Sequence, residues 1–315
     1  MSKLALLFPG QGAQELGMGR KLAEHSDDAM NLWKKAENIS KLPLREIYWG
    51  GNEEDMSNTR SLQVALTVVN LALWQAIANR FKPTCTAGHS LGEYSSLAAA
   101  KVLSFTTVLE LVTLRGKLMA EADPHSIGAM AAIVKLNQET VQELADKCAK
   151  ESGEVIRIAN YNTPAQFVLS GTKKNIELAL NYVKDLKGRG IVLKVSGAFH
   201  SPLMTEASAE LGPILKKATW SKPTMPIYCN VHGQAIEDTN LLCDSILTQM
   251  TSSVQWISII QNMWRDGVKN FLEVGPKAVL SKMVTPCLTP LSDTDIKTNS
   301  TISYITDFDQ DIKEI

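Results

Sequence analysis

Apolar residues along the chain come in short unbroken runs and in helically spaced series, and the two kinds of stretch alternate. The run at residues 4–8, LALLF, carries no polar position and stops at Pro9, Gly10 and Gly12. That pattern predicts a strand buried on both faces that feeds a tight loop. Over residues 61–79 the apolar positions Val64, Leu66, Val68, Leu71, Leu73, Trp74 and Ile77 recur at helical spacing, and Pro83 separates that helix from a strand at 84–87. A further helix is predicted over 106–121. Strand and helix in alternation imply an α/β fold.

Residues 127–195 follow a different order. AMAAIV predicts a strand, 137–150 a helix capped by Asn137, EVIRIANY and QFVLSG two strands joined by a turn at Pro164, 173–186 a helix, and GIVLKV a last strand. The sequence βαββαβ is the ferredoxin-like split unit. It reads as an insertion, because GAFHSP and a helix over 204–218 then resume the larger pattern. The predicted division is residues 1–126 with 197–315 as a large discontinuous domain, and 127–196 as a small inserted one. MPIYCNV and KNFLEVG predict two more core strands, and the polar, acidic stretch from about Leu291 onward promises little structure.

Composition narrows the possible functions. With 44% hydrophobic and 21% charged residues, the 315-residue chain is ordinary globular material. Its 32 Lys and Arg against 33 Asp and Glu give none of the basic excess that a phosphate-backbone binder shows, so nucleic acid is not expected as a partner. The five cysteines, Cys85, Cys148, Cys229, Cys243 and Cys287, show neither zinc-ligand spacing nor a disulfide framework. No secretory leader and no long apolar run are visible, so a cytoplasmic protein without membrane contact is expected.

The candidate chemistry begins at Gly88-His89-Ser90-Leu91-Gly92. This fits G-x-S-x-G, a turn in which a strand ends, a serine is held up and a helix begins. The predicted strand TCTA before it and the helical LGEYSSLAAAK after it are the context that the elbow requires. The helix N-terminus would offer N–H groups and a dipole to an oxyanion beside Ser90. From these residues alone a nucleophile and a tight structural turn both remain open. Arg115 is a second signal: it falls on the stripe Val108, Leu111, Val112, Leu118 and Met119, so a cation sits where a core residue belongs. A buried guanidinium needs an anionic partner, either a protein carboxylate such as Glu93 or Glu110, or a ligand.

Six segments carry a family resemblance: FPGQGAQ (8–14), AGHSLGEYSSL (87–97), LRGKLM (114–119), IANYNTPAQ (158–166), GAFHSPLM (197–204) and FLEVGPKAVL (271–280). In this order they resemble malonyl-CoA:acyl carrier protein transacylases of fatty acid synthesis and their polyketide relatives. The resemblance implies an α/β-hydrolase-like large domain with a parallel sheet and an inserted ferredoxin-like domain. It implies Ser90 as nucleophile, His200 as general base, and the backbone N–H groups of Gln11 and Leu91 as oxyanion hole. Arg115 would pair with the free malonyl carboxylate, a task that suits the guanidinium fork. A backbone carbonyl near Gln249 would orient His200, since no carboxylate declares itself as third triad member.

Other positions follow with the same family. Phe199 would narrow the pocket beside the acyl group in favour of malonyl, and it would serve equally as core packing. Gln63, Asn160, Asn162 and Gln249 match polar cleft positions, and His89 is expected to support the turn. Malonyl-CoA is the implied substrate, no permanent cofactor or metal is implied, and the implied partner is a phosphopantetheinylated acyl carrier protein, for which a local basic patch near the cleft is expected. Two departures stand out: Ser253 replaces a usual proline in ILTQMTSSVQW, which would loosen the loop carrying Gln249, and Lys277 replaces a frequent glycine, which leaves fatty acid and polyketide pathways both open. The rivals are a hydrolase that clears acyl groups from carrier proteins, for which Arg115 has no use, and a non-catalytic carrier-protein binding module.

Overall fold

The structure, a computed structural model, describes residues 3–123, 125–291 and 300–307. Strand β1 (Lys3–Phe8) sends Leu4, Leu6 and Phe8 into one core cluster and Ala5 and Leu7 into another. Both of its faces are covered, which is why the sequence run has no polar gap. The chain then crosses over through α1 (Arg20–His25), α2 (Asp27–Ser40), α3 (Leu44–Gly50), α4 (Glu53–Ser57) and α5 (Thr59–Ile77), and returns as β2 (Cys85–Gly88), parallel to β1. Helix α5 starts where the Asn58 side chain accepts the Arg60 N–H. It is buried around most of its circumference, including Gln63, Thr67 and Asn70. Helices α6 (Gly92–Ala99) and α7 (Phe105–Glu121) follow, the second capped by Ser104 Oγ, which accepts the Thr107 N–H at 3.0 Å.

The chain next builds a second sheet from β3 (Gly128–Val134), β4 (Ile156–Thr163), β5 (Gln166–Thr172) and β6 (Arg189–Val192), with α8 (Gln138–Ser152) and α9 (Lys173–Asp185) between them. The strand order is β4-β5-β3-β6 and each neighbouring pair is antiparallel. Ala131, Ile133, Phe167 and Leu169 pack with Val141, Leu144, Ile176 and Val183 of the two helices, while Met130, Ala132 and Val168 alternate to the other face and line a cleft. After β6 come α10 (Thr205–Lys217), β7 (Ile227–Tyr228), β8 (Ala235–Ile236), α11 (Thr239–Gln249), α12 (Trp256–Arg265), β9 (Val268–Val274), α13 (Ser281–Leu288) and β10 (Thr301–Ile305). The large sheet runs β10-β9-β1-β2-β7-β8, parallel throughout except for β8. The molecule is therefore an α/β fold with a mixed, largely parallel sheet. Among the described residues no helix is long and apolar enough to cross a membrane.

Three expectations change. The tail expected to lack structure contributes β10, which pairs with β9 from Thr301 to Ile305 and sends Ile305 into the core. An edge strand needs few apolar side chains, so its signal was lost among polar neighbours; the rest of that segment, 292–299 and 308–315, lies outside the described residues. MPIYCNV yields only a two-residue strand, because Cys229 already turns the chain, accepting the Gly233 N–H at 2.8 Å and donating to Gln234 at 3.0 Å. In GIVLKV the strand ends at Val192, and Leu193, Lys194 and Val195 leave it to line the cleft.

Candidate active site

Strands β1 and β2 lie side by side in register, Phe8 opposite Gly88, so the loops at their C-terminal ends leave the sheet together. Open parallel sheets bind ligands at this edge. A side chain at Gly92 would collide with the Phe8 carbonyl, and one at Gly10 would collide with the His89 carbonyl and crowd the Leu91 nitrogen. The two glycines thus let the loop that carries Gln11 approach the elbow that carries Leu91. Ser90 itself has φ 50°, the left-handed region that a non-glycine residue enters at a cost. Asn230, from the turn after β7, holds it there: Oδ1 accepts the Ser90 N–H at 2.6 Å and Nδ2 donates to the Gly88 carbonyl at 2.6 Å. Asn70 on α5 fixes the other loop by donating to the Pro9 carbonyl at 3.0 Å.

His200 enters from the segment that returns from the small sheet, also with positive φ, 58°. Its Nε2 lies 2.7 Å from Ser90 Oγ, and its Nδ1 faces the carbonyl oxygens of Gln249 at 3.0 Å and Ser252 at 3.1 Å. Two acceptors at Nδ1 require the proton there, which leaves the Nε2 lone pair for the serine hydroxyl. Burial, with the positive charge of Arg115 adding to it, lowers the imidazole pKa to about 3. The ring is therefore neutral and able to accept a proton. Of the other histidines, His25, His125 and His232 are exposed and away from the cleft. His89 lines the cleft, donates from Nε2 to Asn162 Oδ1 at 2.9 Å and tilts against Trp256.

Arg115 is fully buried and, among the described residues, makes no ion pair. The expected protein partners do not pair with it directly. Instead Nη2 donates to Ser90 Oγ at 3.2 Å and to Gln249 Oε1 at 3.0 Å, Nη1 donates to Gln63 Oε1, and Nε has no hydrogen-bond partner among the described residues. The face of Tyr94 lies 5.5 Å from the guanidinium carbon. A cation buried among neutral amides with a donor to spare is arranged to receive an anion.

These groups border a cavity of about 360 Å³ lined by Gln11, Gln63, His89, Ser90, Asn160, Asn162, Phe199 and His200, with Met130, Val168, Leu280 and Met283 as apolar wall and Lys194 as a cation. Leu91, Arg115 and Gln249 stand behind that wall; the last two reach the site through Ser90. Phe199 both lines the cavity and belongs to the main core cluster. Ser253 does not leave its loop untied: its hydroxyl donates to the Ile158 carbonyl at 2.6 Å and accepts from Arg157 at 2.8 Å, and Arg157 also holds the Thr251 carbonyl at 3.0 Å. Lys277 donates to the Gln14 carbonyl at 3.0 Å. Among the described residues no cluster of His, Cys, Asp and Glu could hold a metal ion.

Sequence reasoning passed over Asn230 and saw Glu93 only as a possible partner for Arg115. Asn230 stands two residues beyond the end of β7, and a polar residue just past the C-terminal end of a parallel strand was the available signal.

Comparison with known proteins gives the family. The family model described as acyl transferase domain matches residues 5–310. A malonyl CoA-acyl carrier protein transacylase of Bacillus subtilis is 37% identical over 286 residues, 90% of each chain. An acyl carrier protein S-malonyltransferase from Vibrio cholerae superposes with a TM-score of 0.88 at 32% identity, over 97% of both chains. A type II PKS acyl-carrier protein in complex with its malonyl-transacylase gives a TM-score of 0.88 at 30% identity, over 97% of this chain and 96% of that one.

Proposed function

The chain belongs to the acyl transferase domain family, and on that premise we propose that it moves a malonyl group from coenzyme A to the phosphopantetheine thiol of an acyl carrier protein through an ester on Ser90. The observation that carries the substrate is the 3.2 Å between Arg115 Nη2 and Ser90 Oγ. A carboxylate held by that guanidinium while Ser90 attacks lies close to the reacting carbonyl carbon, a separation that the single methylene of malonyl suits. Acetyl has no carboxylate to offer and succinyl is one methylene too long.

In the first half-reaction His200 Nε2 takes the Ser90 hydroxyl proton as Oγ bonds to the thioester carbonyl carbon. The N–H groups of Gln11 and Leu91 receive the oxyanion, and the turn bonds of the elbow leave the Leu91 N–H free of a protein acceptor among the described residues. The carbon–sulfur bond breaks, and CoA leaves as thiol with the proton from His200. In the second half the carrier thiol gives its proton to His200 and bonds to the ester carbonyl carbon, the bond from that carbon to Ser90 Oγ breaks, and His200 Nε2 returns the proton to Oγ. Substrate binding itself tunes the base: a malonyl carboxylate on Arg115 offsets the charge that depresses His200, raising its basicity when it is needed. Gln63, Asn160, Asn162, Gln249 and His89 shape the cleft, and Phe199 closes it beside the acyl carbon.

The strand order β4-β5-β3-β6 with α8 and α9 on one face supports reading 127–196 as a ferredoxin-like insertion in an α/β-hydrolase-like domain made of 1–126 and 197–315. Five free cysteines, four of them buried, support a reducing cytoplasm as its place. The test of the function is donor competition: malonyl-, acetyl- and succinyl-CoA offered with a phosphopantetheinylated carrier protein. Transfer of malonyl at least about 100-fold above both others is expected, and equal transfer of acetyl and malonyl would refute the role given to Arg115.

A further inference from the structure

Among the described residues two carboxylates are fully buried, Glu93 and Glu273. Glu273 is spent on backbone: it accepts the N–H groups of Val279, Leu280 and Ser281 at 3.0, 2.9 and 2.7 Å. Glu93, on the first turn of α6, does something different. Its Oε2 accepts Gln249 Nε2 at 2.6 Å, and its Oε1 accepts the Asn230 N–H at 3.1 Å. Gln249 Nε2 also donates to the Ser90 carbonyl at 2.9 Å, which leaves Gln249 Oε1 turned toward Arg115.

We propose that Glu93 is a positioning residue for malonyl recognition, which sets the Gln249 amide and the Asn230 turn and through them the guanidinium of Arg115 and the backbone of Ser90. The inference rests on the transferase function above. Donors and acceptors around Gln249 fix its orientation. A side-chain amide has two ways round, and only the one with oxygen toward Arg115 is compatible with a cation there. A carboxylate facing Gln249 accepts only, so it forces the NH₂ toward itself and the oxygen toward Arg115. The same group completes an indirect ion pair, guanidinium to amide to carboxylate, that leaves the Arg115 fork unsaturated for a ligand; a direct Glu93–Arg115 pair would occupy it.

Burial raises the Glu93 carboxyl to about 7, against the hydrogen bonds from Gln249 and Asn230 and the charge of Arg115, which lower it. The titratable groups around it are Arg115 on α7, Tyr94 on its own helix and Cys229 after β7. Burial pushes Tyr94 up to about 12 and Cys229 well above the usual thiol range, so neither changes charge near neutrality.

The test is the rate of acyl-enzyme formation from malonyl-CoA and from acetyl-CoA, in wild type, Glu93→Gln, Arg115→Ala and the double variant. Glutamine has one acceptor where two donors arrive, so Glu93→Gln turns one of them against a donor. The malonyl-to-acetyl ratio is expected to fall on the order of tenfold or more, with no further fall when Arg115 is already alanine. In wild type the ratio is expected to decline as pH drops through about 7, and in Glu93→Gln to stay flat. If Glu93→Gln does not fold, Glu93→Asp, which withdraws the carboxylate from both donors, serves the same comparison. A wild-type preference that survives unchanged in the folded variant, or a loss that is equal for both acyl groups, overturns the role of Glu93 alone. A wild type that takes no malonyl at all overturns the transferase function and this inference with it.

Discussion

Arg115 Nη2 donates to Ser90 Oγ across 3.2 Å, so the cation proposed to receive the substrate carboxylate touches the oxygen proposed to attack the substrate carbonyl. In the proposed function recognition and chemistry share this one hydrogen bond, and the free carboxylate of the substrate takes over the guanidinium as the acyl group reaches the serine. The consequences can be measured one residue at a time.

Arg115→Ala is expected to slow malonyl loading about 10²- to 10³-fold, the range for loss of one preorganised charged donor, while acetyl loading is spared or raised. Single-turnover acyl-enzyme formation with the two donors measures it directly. Equal losses for both would mean that Arg115 serves the fold and not the substrate.

Asn230→Ala removes the partners of the Ser90 N–H and the Gly88 carbonyl at a turn whose φ is strained. A buried carbonyl and a part-buried N–H left unpaired cost about 2–4 kcal/mol. Urea denaturation is expected to show a lower midpoint with unchanged slope, and loading is expected to fall for every acyl donor alike.

Much of this was legible in the sequence, and the limits were physical. The uniform run at 4–8, the helix periodicity of α5 and the βαββαβ order each follow from burial, which leaves its mark on residue type. So does Arg115, a charge on an apolar stripe. His200 was visible only through family likeness, because its orienting groups are the main-chain carbonyls of Gln249 and Ser252, and a carbonyl has no letter in the sequence. The strand β10 and the two-residue β7 escaped because edge and truncated strands bury too little to declare themselves.

The replacement at Ser253 has a compensating tie that no single position reveals. Arg157 on β4 holds both Ser253 Oγ and the Thr251 carbonyl, and so steadies the loop whose carbonyls orient His200. Arg157→Ala is expected to lower kcat about 3- to 10-fold, a part of the roughly 1.5–3 kcal/mol carried by a charged hydrogen bond, because it reaches His200 only through the loop, with KM for malonyl-CoA little changed. A matching rise in KM would place Arg157 in substrate binding.

His200 also predicts a pH dependence of stability. Its folded pKa of about 3 lies below the ordinary histidine value, so between the two the unfolded chain binds the extra proton and stability falls as pH drops from about 6.5 toward 3. Glu93, raised to about 7, acts in the opposite sense: its contribution is full below about 4.5 and lost as pH rises through 7. Comparison with His200→Gln isolates the histidine, because both proteins retain Glu93. At pH 4.5 wild type is expected to lose about 2–3 kcal/mol relative to that variant, from about 1.4 kcal/mol per pH unit below the ordinary value. Parallel denaturation curves at pH 7.5 and 4.5 would contradict a neutral, buried His200.

The most direct test of the central claim is intact-protein mass spectrometry after brief exposure to malonyl-CoA, on wild type and Ser90→Ala, before and after adding a phosphopantetheinylated carrier protein. A malonyl adduct that requires Ser90 and passes to the carrier is the predicted result. No malonyl adduct, an adduct that persists in Ser90→Ala, or an adduct cleared by water as fast as by the carrier thiol would contradict it.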